Sequence, residues 1–283
     1  MEEPAVDLQL DRAHSARMYD YYLGGRTNFV ADREAVGRVM AVFPSILVAA
    51  RANREFMHRS TRFAAERGIR QFLDIGTGIP TRPNLHEVAQ SVTPGARIVY
   101  VDNDPIVLAH AKALLQSHPE GHTAYVEADM TDPAAILASP VLRETLDLGR
   151  PVALSLNAVL PFVTGNEQAL AILAVLKDAL APGSTLAITH GTVDFSPQTR
   201  PFDKVTDVYT SVGTAAKTRT KAEFAAFFAG WELVEPGITT TFRWRPDEDQ
   251  GLSDLTDAEA TGYAAVAVKS SDASGPAGPI RRV

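Results

Sequence analysis

The sequence predicts an α/β protein: a mostly parallel sheet with helices on both faces, preceded by an N-terminal helical cap. Three observations predict it. Five short apolar segments recur at roughly 25- to 30-residue spacing, with helical stretches between them. A turn carrying two glycines, Gly76 and Gly78, directly follows the first of these segments. The residues before them show helical periodicity and none of the alternation of strands.

Residues 1–69 form the cap. Ser15 to Leu23 runs into Gly24-Gly25, a helix stop, and Asp32 to Val42 ends just before Pro44. Ile46 to Arg67 reads as a longer helix that stops at Gly68. Glu55–Arg59 and Glu66–Arg70 stand in the favourable i,i+4 order, so the arginines at 51, 54, 59, 62 and 67 read as a solvated face rather than a nucleic-acid patch. The paired glycines after Tyr22 suggest a turn on which this segment folds over the cleft as a lid.

Residues 70–269 form the sheet domain. Gln71–Ile75, Arg97–Asp102, Thr123–Glu127, Val152–Leu156 and Ser184–Thr189 read as strands buried on both faces. Helical candidates at 84–92, 105–117, 133–147 and 167–181 separate them, which makes right-handed βαβ units. A helix at 221–229 and two more strand candidates follow, one near Trp231–Val234 with Ile238–Trp244 and the other Gly262–Val268. Arg245 to Asp257 is acidic and loop-like, and the 270–283 tail, SSDASGPAGPIRRV, is expected to be disordered.

Composition narrows the chemistry. The 283 residues include no cysteine, which removes thiol nucleophiles, disulfides and Cys-ligated metals. No dedicated metal-binding pattern is present, so no metal is expected. The net charge of -7 arises from 34 acids against 27 bases and disfavours nucleic acid as partner. Glu2, Glu3, Asp7, Asp11 and Asp20 interrupt the first thirty residues, and no apolar run reaches the ~18 residues of a spanning helix. No signal peptide or membrane partner is therefore expected, and a cytoplasmic location is.

In an open parallel sheet the ligand lies beyond the carboxyl ends of the strands. The first such end reads Asp74-Ile-Gly76-Thr-Gly78-Ile-Pro80-Thr81. Two glycines permit a sharp turn and close backbone approach to a ligand. A carboxylate two residues before the first glycine would be penalised beside a pyrophosphate by up to ~4 kcal/mol at ~4 Å. Beside an ammonium or sulfonium the sign reverses, so Asp-x-Gly-x-Gly suits S-adenosyl-L-methionine, a phosphate-free double cation, better than a dinucleotide. Asp102, ending the second strand, is placed to accept both ribose hydroxyls of an adenosine. After the third strand Asp129 is placed for an adenine amine and Met130 for its ring, whereas Asp104 and Asp132 read as helix caps before Pro105 and Pro133.

FLDIGTGIPT, IVYVDNDP, VEADMTDP and LAPGSTLAI resemble, in order, the nucleotide-binding segments of class I S-adenosylmethionine-dependent methyltransferases. ARMYDYYLGGRTNF and HEVAQ narrow the resemblance to a bacterial S-adenosyl methyltransferase family formerly catalogued as a domain of unknown function, over roughly residues 13 to 268. The resemblance implies a Rossmann-like sheet of seven strands with Gly262–Val268 inserted antiparallel. It implies that Asp74, Gly76 and Gly78 line the methionine end, Asp102 and Asn103 the ribose, and Asp129 and Met130 the adenine. Asn157, in Asn157-Ala-Val-Leu-Pro-Phe162, would border the transferable methyl. Pro80 stands where these enzymes often have a third glycine, so another group must hold the methionine carboxylate; backbone amides at 81 and 82, or Arg82, are the candidates.

The expected activity is methyl transfer to a small-molecule acceptor. The sequence selects no catalytic residue: His190, Asn157 and the tyrosines at 19, 21 and 22 are candidates, with a structural hydrogen bond the alternative for His190 and a packing stripe for Tyr19 and Tyr22. Two competing readings are a non-catalytic S-adenosylmethionine or S-adenosylhomocysteine binder and an NAD(P)-dependent oxidoreductase. Asp74, Thr81 and the missing Ser/Tyr-x-x-x-Lys pair count against the latter.

Overall fold

The computed structural model describes residues 10–114, 117–247 and 254–271. Beyond Ser271 the tail lies outside them, as does the middle of the acidic stretch after Arg245. Five parallel strands form the body of the sheet: β1 (Gln71–Ile75), β2 (Arg97–Asp102), β3 (His122–Glu127), β4 (Ala153–Asn157) and β5 (Thr185–Gly191). After β6 (Glu232–Leu233) and β7 (Thr239–Thr240), β8 (Gly262–Val268) inserts antiparallel beside β5. The order is β3-β2-β1-β4-β5-β8-β6, with β7 also on β8.

The sheet therefore has eight strands rather than seven. Both short strands pair with β8, one at Leu233–Ala267 and the other at Thr239–Ala264. Between these pairs the edge chain advances six residues while β8 advances three. Pro236 and Gly237 occupy the excess; Pro236 has no N–H for the ladder, and Gly237 turns with φ +77°. One edge strand is thus split in two, and Ile238–Trp244 ends in a 3-10 turn at Thr241–Arg243.

The cap begins with α1 (Ser15–Tyr22), α2 (Val30–Val42) and α3 (Ile46–Glu66). Then come α4 (Leu85–Val92), α5 (Pro105–Leu114), α6 (Pro133–Ala138), α7 (Pro140–Thr145) and α8 (Asn166–Asp178). The expected single helix at 133–147 is broken because Pro140 pushes Ser139 to ψ 126°. The remaining helices are α9 (Pro201–Ser211), α10 (Lys221–Ala226) and the short α11 (Asp257–Ala260).

Alternation along the strands divides the core. Leu73, Val99 and Leu154 face α8 and the phenylalanines Phe224 and Phe227, whereas Phe72 and Ile98 face α3 and α4. Helix α3 is consequently a core helix, and its arginines are not the solvated face the spacing suggested. Arg59 is buried; its Nε donates to the Trp244 carbonyl at 2.8 Å and its Nη2 to that of Thr241 at 2.6 Å. Arg62 pairs with Asp247 at 3.0 Å, and only Arg51 and Arg67 of the run are exposed. Among the described residues no single helix is long and apolar enough to cross a membrane.

The turn after α1 is locked. Asp20 is buried and its Oδ2 accepts from Thr27 N and Asn28 Nδ2, both at 2.9 Å. A Cβ on Gly25 would stand 1.9 Å from Asp20 Oδ1, so only glycine fits. The sequence DYYLGGRTN thus encodes a turn closed around a carboxylate. Asp20→Ala removes the acceptor of Thr27 N and of one Asn28 Nδ2 proton, the other being free to bond the Gly25 carbonyl at 3.1 Å, and is expected to lower folding stability by about 2 kcal/mol in urea unfolding; a loss under half of that would mean that the carboxylate does not hold the turn.

Candidate functional site

The sheet order reverses between β1 and β4, and there a cleft of about 520 Å³ opens above the strand ends. Asp74, Gly76 and Gly78 line it from β1, Asp102 and Asn103 from β2, Asp129 and Met130 from β3, and Asn157 from β4. All eight sequence-selected residues thus meet in one cavity, roofed by α1, α3 and α9.

The turn after β1 needs its glycines for different reasons. Gly76 has φ +74°, and a Cβ there would lie 2.3 Å from Val159 Cγ2. Gly78 has φ +66° and open space where a Cβ would be, so the cleft meets bare backbone. Its N–H donates to Asp102 Oδ2 at 2.8 Å, while Asp104 N donates to Asp102 Oδ1 at 3.0 Å. The Asp102 carboxylate is thereby fixed at the end of β2, and burial pushes its pKa above the usual carboxylate range despite these bonds.

Asp74 is buried and its Oδ1 accepts from Ser155 Oγ, the residue opposite it on β4. Burial pushes its pKa to about 6, against the opposing pull of Ser155 and of the nearby Arg54. Asp129 is exposed; its Oδ1 accepts from Thr131 N and Oγ1 at 2.8 Å, and its Oδ2 from Asn103 Nδ2 at 3.2 Å. The Thr131 N–H holds its pKa below the ordinary value.

One group emerges that the sequence did not select, and one selected residue gains a sharper setting. Arg82 is 75% exposed and pairs with Glu87, away from the cleft lining. Arg54, on α3, occupies the space next to the Gly76–Thr81 turn instead. Its Nη2 donates to the carbonyls of Thr81 and Pro83, and its Nε is buried with no hydrogen-bond partner. At the end of β4, neither Oδ1 nor Nδ2 of Asn157 has a partner although both atoms are buried. Orphaned polar atoms on a cleft wall mark places where a ligand completes the bonding.

His190 is spent structurally. Its Nδ1 lies 2.9 Å from the Gly191 carbonyl and its Nε2 2.7 Å from Arg219 Nη1. A guanidinium has no lone pair to offer, so Nε2 is the acceptor and the imidazole is neutral; burial lowers its pKa to about 3. Arg219, itself buried, also donates to Leu160 O at 3.1 Å and Val163 O at 2.6 Å. The pair pins the loop after β4, where Ala158 takes the left-handed conformation with φ 56°.

A family model described as S-adenosyl methyltransferase matches residues 1–270. The structure of a DUF574 family protein from Streptomyces avermitilis superposes with a TM-score of 0.89 at 50% identity, over 93% of this chain and 99% of that one. A candidate methyltransferase from Thermobifida fusca gives 0.85 at 38% identity, over 96% and 100% of the two chains. An O-methyltransferase family protein from Burkholderia thailandensis shares the fold, with a TM-score of 0.53 at 13% identity over 81% and 59%. A candidate S-adenosylmethionine-dependent methyltransferase of Mycobacterium tuberculosis is 30% identical over 128 residues. That match covers 44% of this chain but only 39% of the relative's length.

The two glycines predict different losses. Gly78→Ala carries only left-handed strain, about 1–2 kcal/mol, whereas Gly76→Ala adds an overpacking cost of about 1–3 kcal/mol against Val159. Denaturant unfolding of both variants checks the difference, and equal losses would contradict the Gly76–Val159 contact.

Proposed function

The chain belongs to the S-adenosyl methyltransferase family, whose methyl donor is S-adenosylmethionine, and from that premise we propose that the cleft transfers the donor's methyl group to a small-molecule acceptor. The observation carrying this reading is the convergence on one cavity of three strand-end acids with an arginine, Arg54, whose Nε has no partner. Asp74 faces the ammonium, and Arg54 Nε supplies the donor for the carboxylate that Pro80 left unassigned. Asp102, aligned by Gly78 and Asp104, takes the ribose hydroxyls. Asp129 and Met130 border the adenine, and Asn157 borders the methyl.

The bound donor supplies an already activated leaving group, so the protein's task is alignment and exclusion of water. The cleft volume of about 520 Å³ and the net charge of -7 support a small molecule over a polyanion as acceptor. The acidic setting of the strand ends disfavours NAD(P). A non-catalytic S-adenosylhomocysteine binder remains the second reading, favoured by the neutral, fully engaged His190. The setting we propose is cytoplasmic. Thermal shift is expected to show stabilisation by S-adenosylmethionine and S-adenosylhomocysteine; stabilisation by NAD alone would overturn the reading.

Asp102→Ala removes a charged acceptor and is expected to weaken S-adenosylhomocysteine binding about 10- to 100-fold in calorimetry with an unchanged circular dichroism spectrum. Binding at wild-type strength would reassign the ribose contact.

The pH dependence follows from Asp74. In the ligand-free fold its pKa of about 6 exceeds the ordinary 3.8, so its contribution to stability is full below pH ~4 and is lost as pH rises through ~6. A bound ammonium favours the ionised form, so binding releases a proton below that pH. Affinity for S-adenosylhomocysteine is therefore expected to rise between pH 5 and 7, and Asp74→Asn should flatten the rise. A flat wild-type profile would remove Asp74 from the ammonium site.

A further inference from the structure

The part of the cleft beyond Asn157 has a different character from the strand ends. Its walls come from the end of α1, the start of α3, the 3-10 turn at Leu160–Phe162 and α9. Tyr22, Ile46, Ala49, Phe162, Val205 and Tyr209 line it, and most of them belong to one apolar cluster. Among the described lining residues of these walls at that end, no Asp, Glu, Lys, Arg or His contributes. A charged group entering there would be desolvated without a counter-ion, at a cost of several kcal/mol. Phe162 and Tyr209 stand 5.8 Å apart, and Tyr19 and Tyr22 meet edge to face at 6.3 Å, so a flat ring finds aromatic faces and edges to pack on.

One polar feature sits in this apolar wall. The hydroxyls of Tyr22 and Tyr209 are 3.3 Å apart, both residues are buried, and either oxygen can be the donor. Two phenols carry two hydroxyl protons, and their mutual bond uses one. The second O–H has no protein acceptor among the described residues. A ligand group with a lone pair completes the bonding that the protein leaves open.

Resting on the methyltransferase reading above, we infer that the acceptor is an uncharged aromatic molecule that packs against the touching rings of Phe162 and Tyr209 and presents a hydrogen-bond acceptor, of the carbonyl or ether type, to the Tyr22–Tyr209 hydroxyl pair. The strand ends thus take the cationic donor, and the helical roof takes a neutral partner.

The test uses the full chain saturated with S-adenosylhomocysteine and four one-ring probes: acetophenone, its hydrocarbon isostere α-methylstyrene, benzoate and benzylammonium. Ligand-observed NMR titrations are expected to show acetophenone binding at least tenfold tighter than either charged probe. In the double variant Tyr22→Phe/Tyr209→Phe both hydroxyls go together, which leaves no unpaired group and preserves packing. There the affinity of acetophenone relative to α-methylstyrene is expected to fall about 2- to 10-fold. Charged probes binding as well as acetophenone would overturn the inference, as would an unchanged acetophenone to α-methylstyrene ratio in the double variant. Absence of all probe binding while S-adenosylhomocysteine still binds would overturn the acceptor class alone. Failure of S-adenosylhomocysteine itself to bind would instead remove the reading on which this rests.

Discussion

The pairing of β1 with β2 on one side and β4 on the other is the constraint on which the site depends. Because β1 is buried along its whole length, its polar groups have only its carboxyl end at which to meet a ligand. The parallel register sets Asp74 opposite Tyr100 on one neighbour and Ser155 on the other. Ser155 donates to the carboxylate directly, which explains how a buried acid is tolerated there. The sheet reverses order at this strand, so the chain leaving β1 and the chain leaving β4 diverge, and Gly76 and Val159 are brought into contact where the cleft begins.

That arrangement creates an electrostatic imbalance with a direction. Asp74 and Asp102 are both desolvated, and the charge of Asp102 adds to the difficulty of ionising Asp74. Arg54 is the cation placed nearest to the Asp74 side, and it is tied to the Thr81 and Pro83 carbonyls rather than to either acid. A ligand bringing an ammonium and a sulfonium would relieve the acids, and in the proposed binding mode its carboxylate would meet the orphaned Nε of Arg54. The same cavity is hostile to a pyrophosphate, so its charge pattern selects among adenosine cofactors before any shape argument is made.

The strands and the three strand-end acids were legible because each rests on a local pattern: an apolar run, a glycine turn and an acid in fixed order. What escaped required knowing which side a helix presents. The helical spacing sets Arg59 on one stripe with Ala52, Phe56 and Phe63, yet an arginine in such a stripe reads as polar and therefore solvated; the buried carbonyls of Thr241 and Trp244 are its reason to be inside. Arg54 was hidden in the same run, although it shares a face with Ala50, Asn53 and Met57, all of which line the cleft. Helix α9 was missed because Val205, Thr206, Val208 and Thr210 are β-branched and weak helix formers; its packing against α2 and α1 outweighs that preference. The edge strand was counted as one because the split at Pro236-Gly237 lies in its pairing and not in its apolar pattern.

The cap is joined to the cofactor half by a small polar knot rather than by apolar contact alone. The His14 backbone N–H donates to Asp32 Oδ1 at 2.8 Å, Arg17 Nε lies 3.2 Å from that same oxygen, and the His14 ring reaches Asp104 at 3.0 Å. Asp104 in turn sends its backbone N–H to Asp102. A continuous run of bonds therefore links α2, α1 and the loop after β2, so the roof over the cleft is held by the same residues that orient Asp102. With the turn after α1 closed around Asp20, the shape of the roof is set by residues outside the strand-end motifs: Asp-x-Gly-x-Gly shapes the floor of the cleft, and Tyr-Asp-Tyr-Tyr-Leu-Gly-Gly the surface above it.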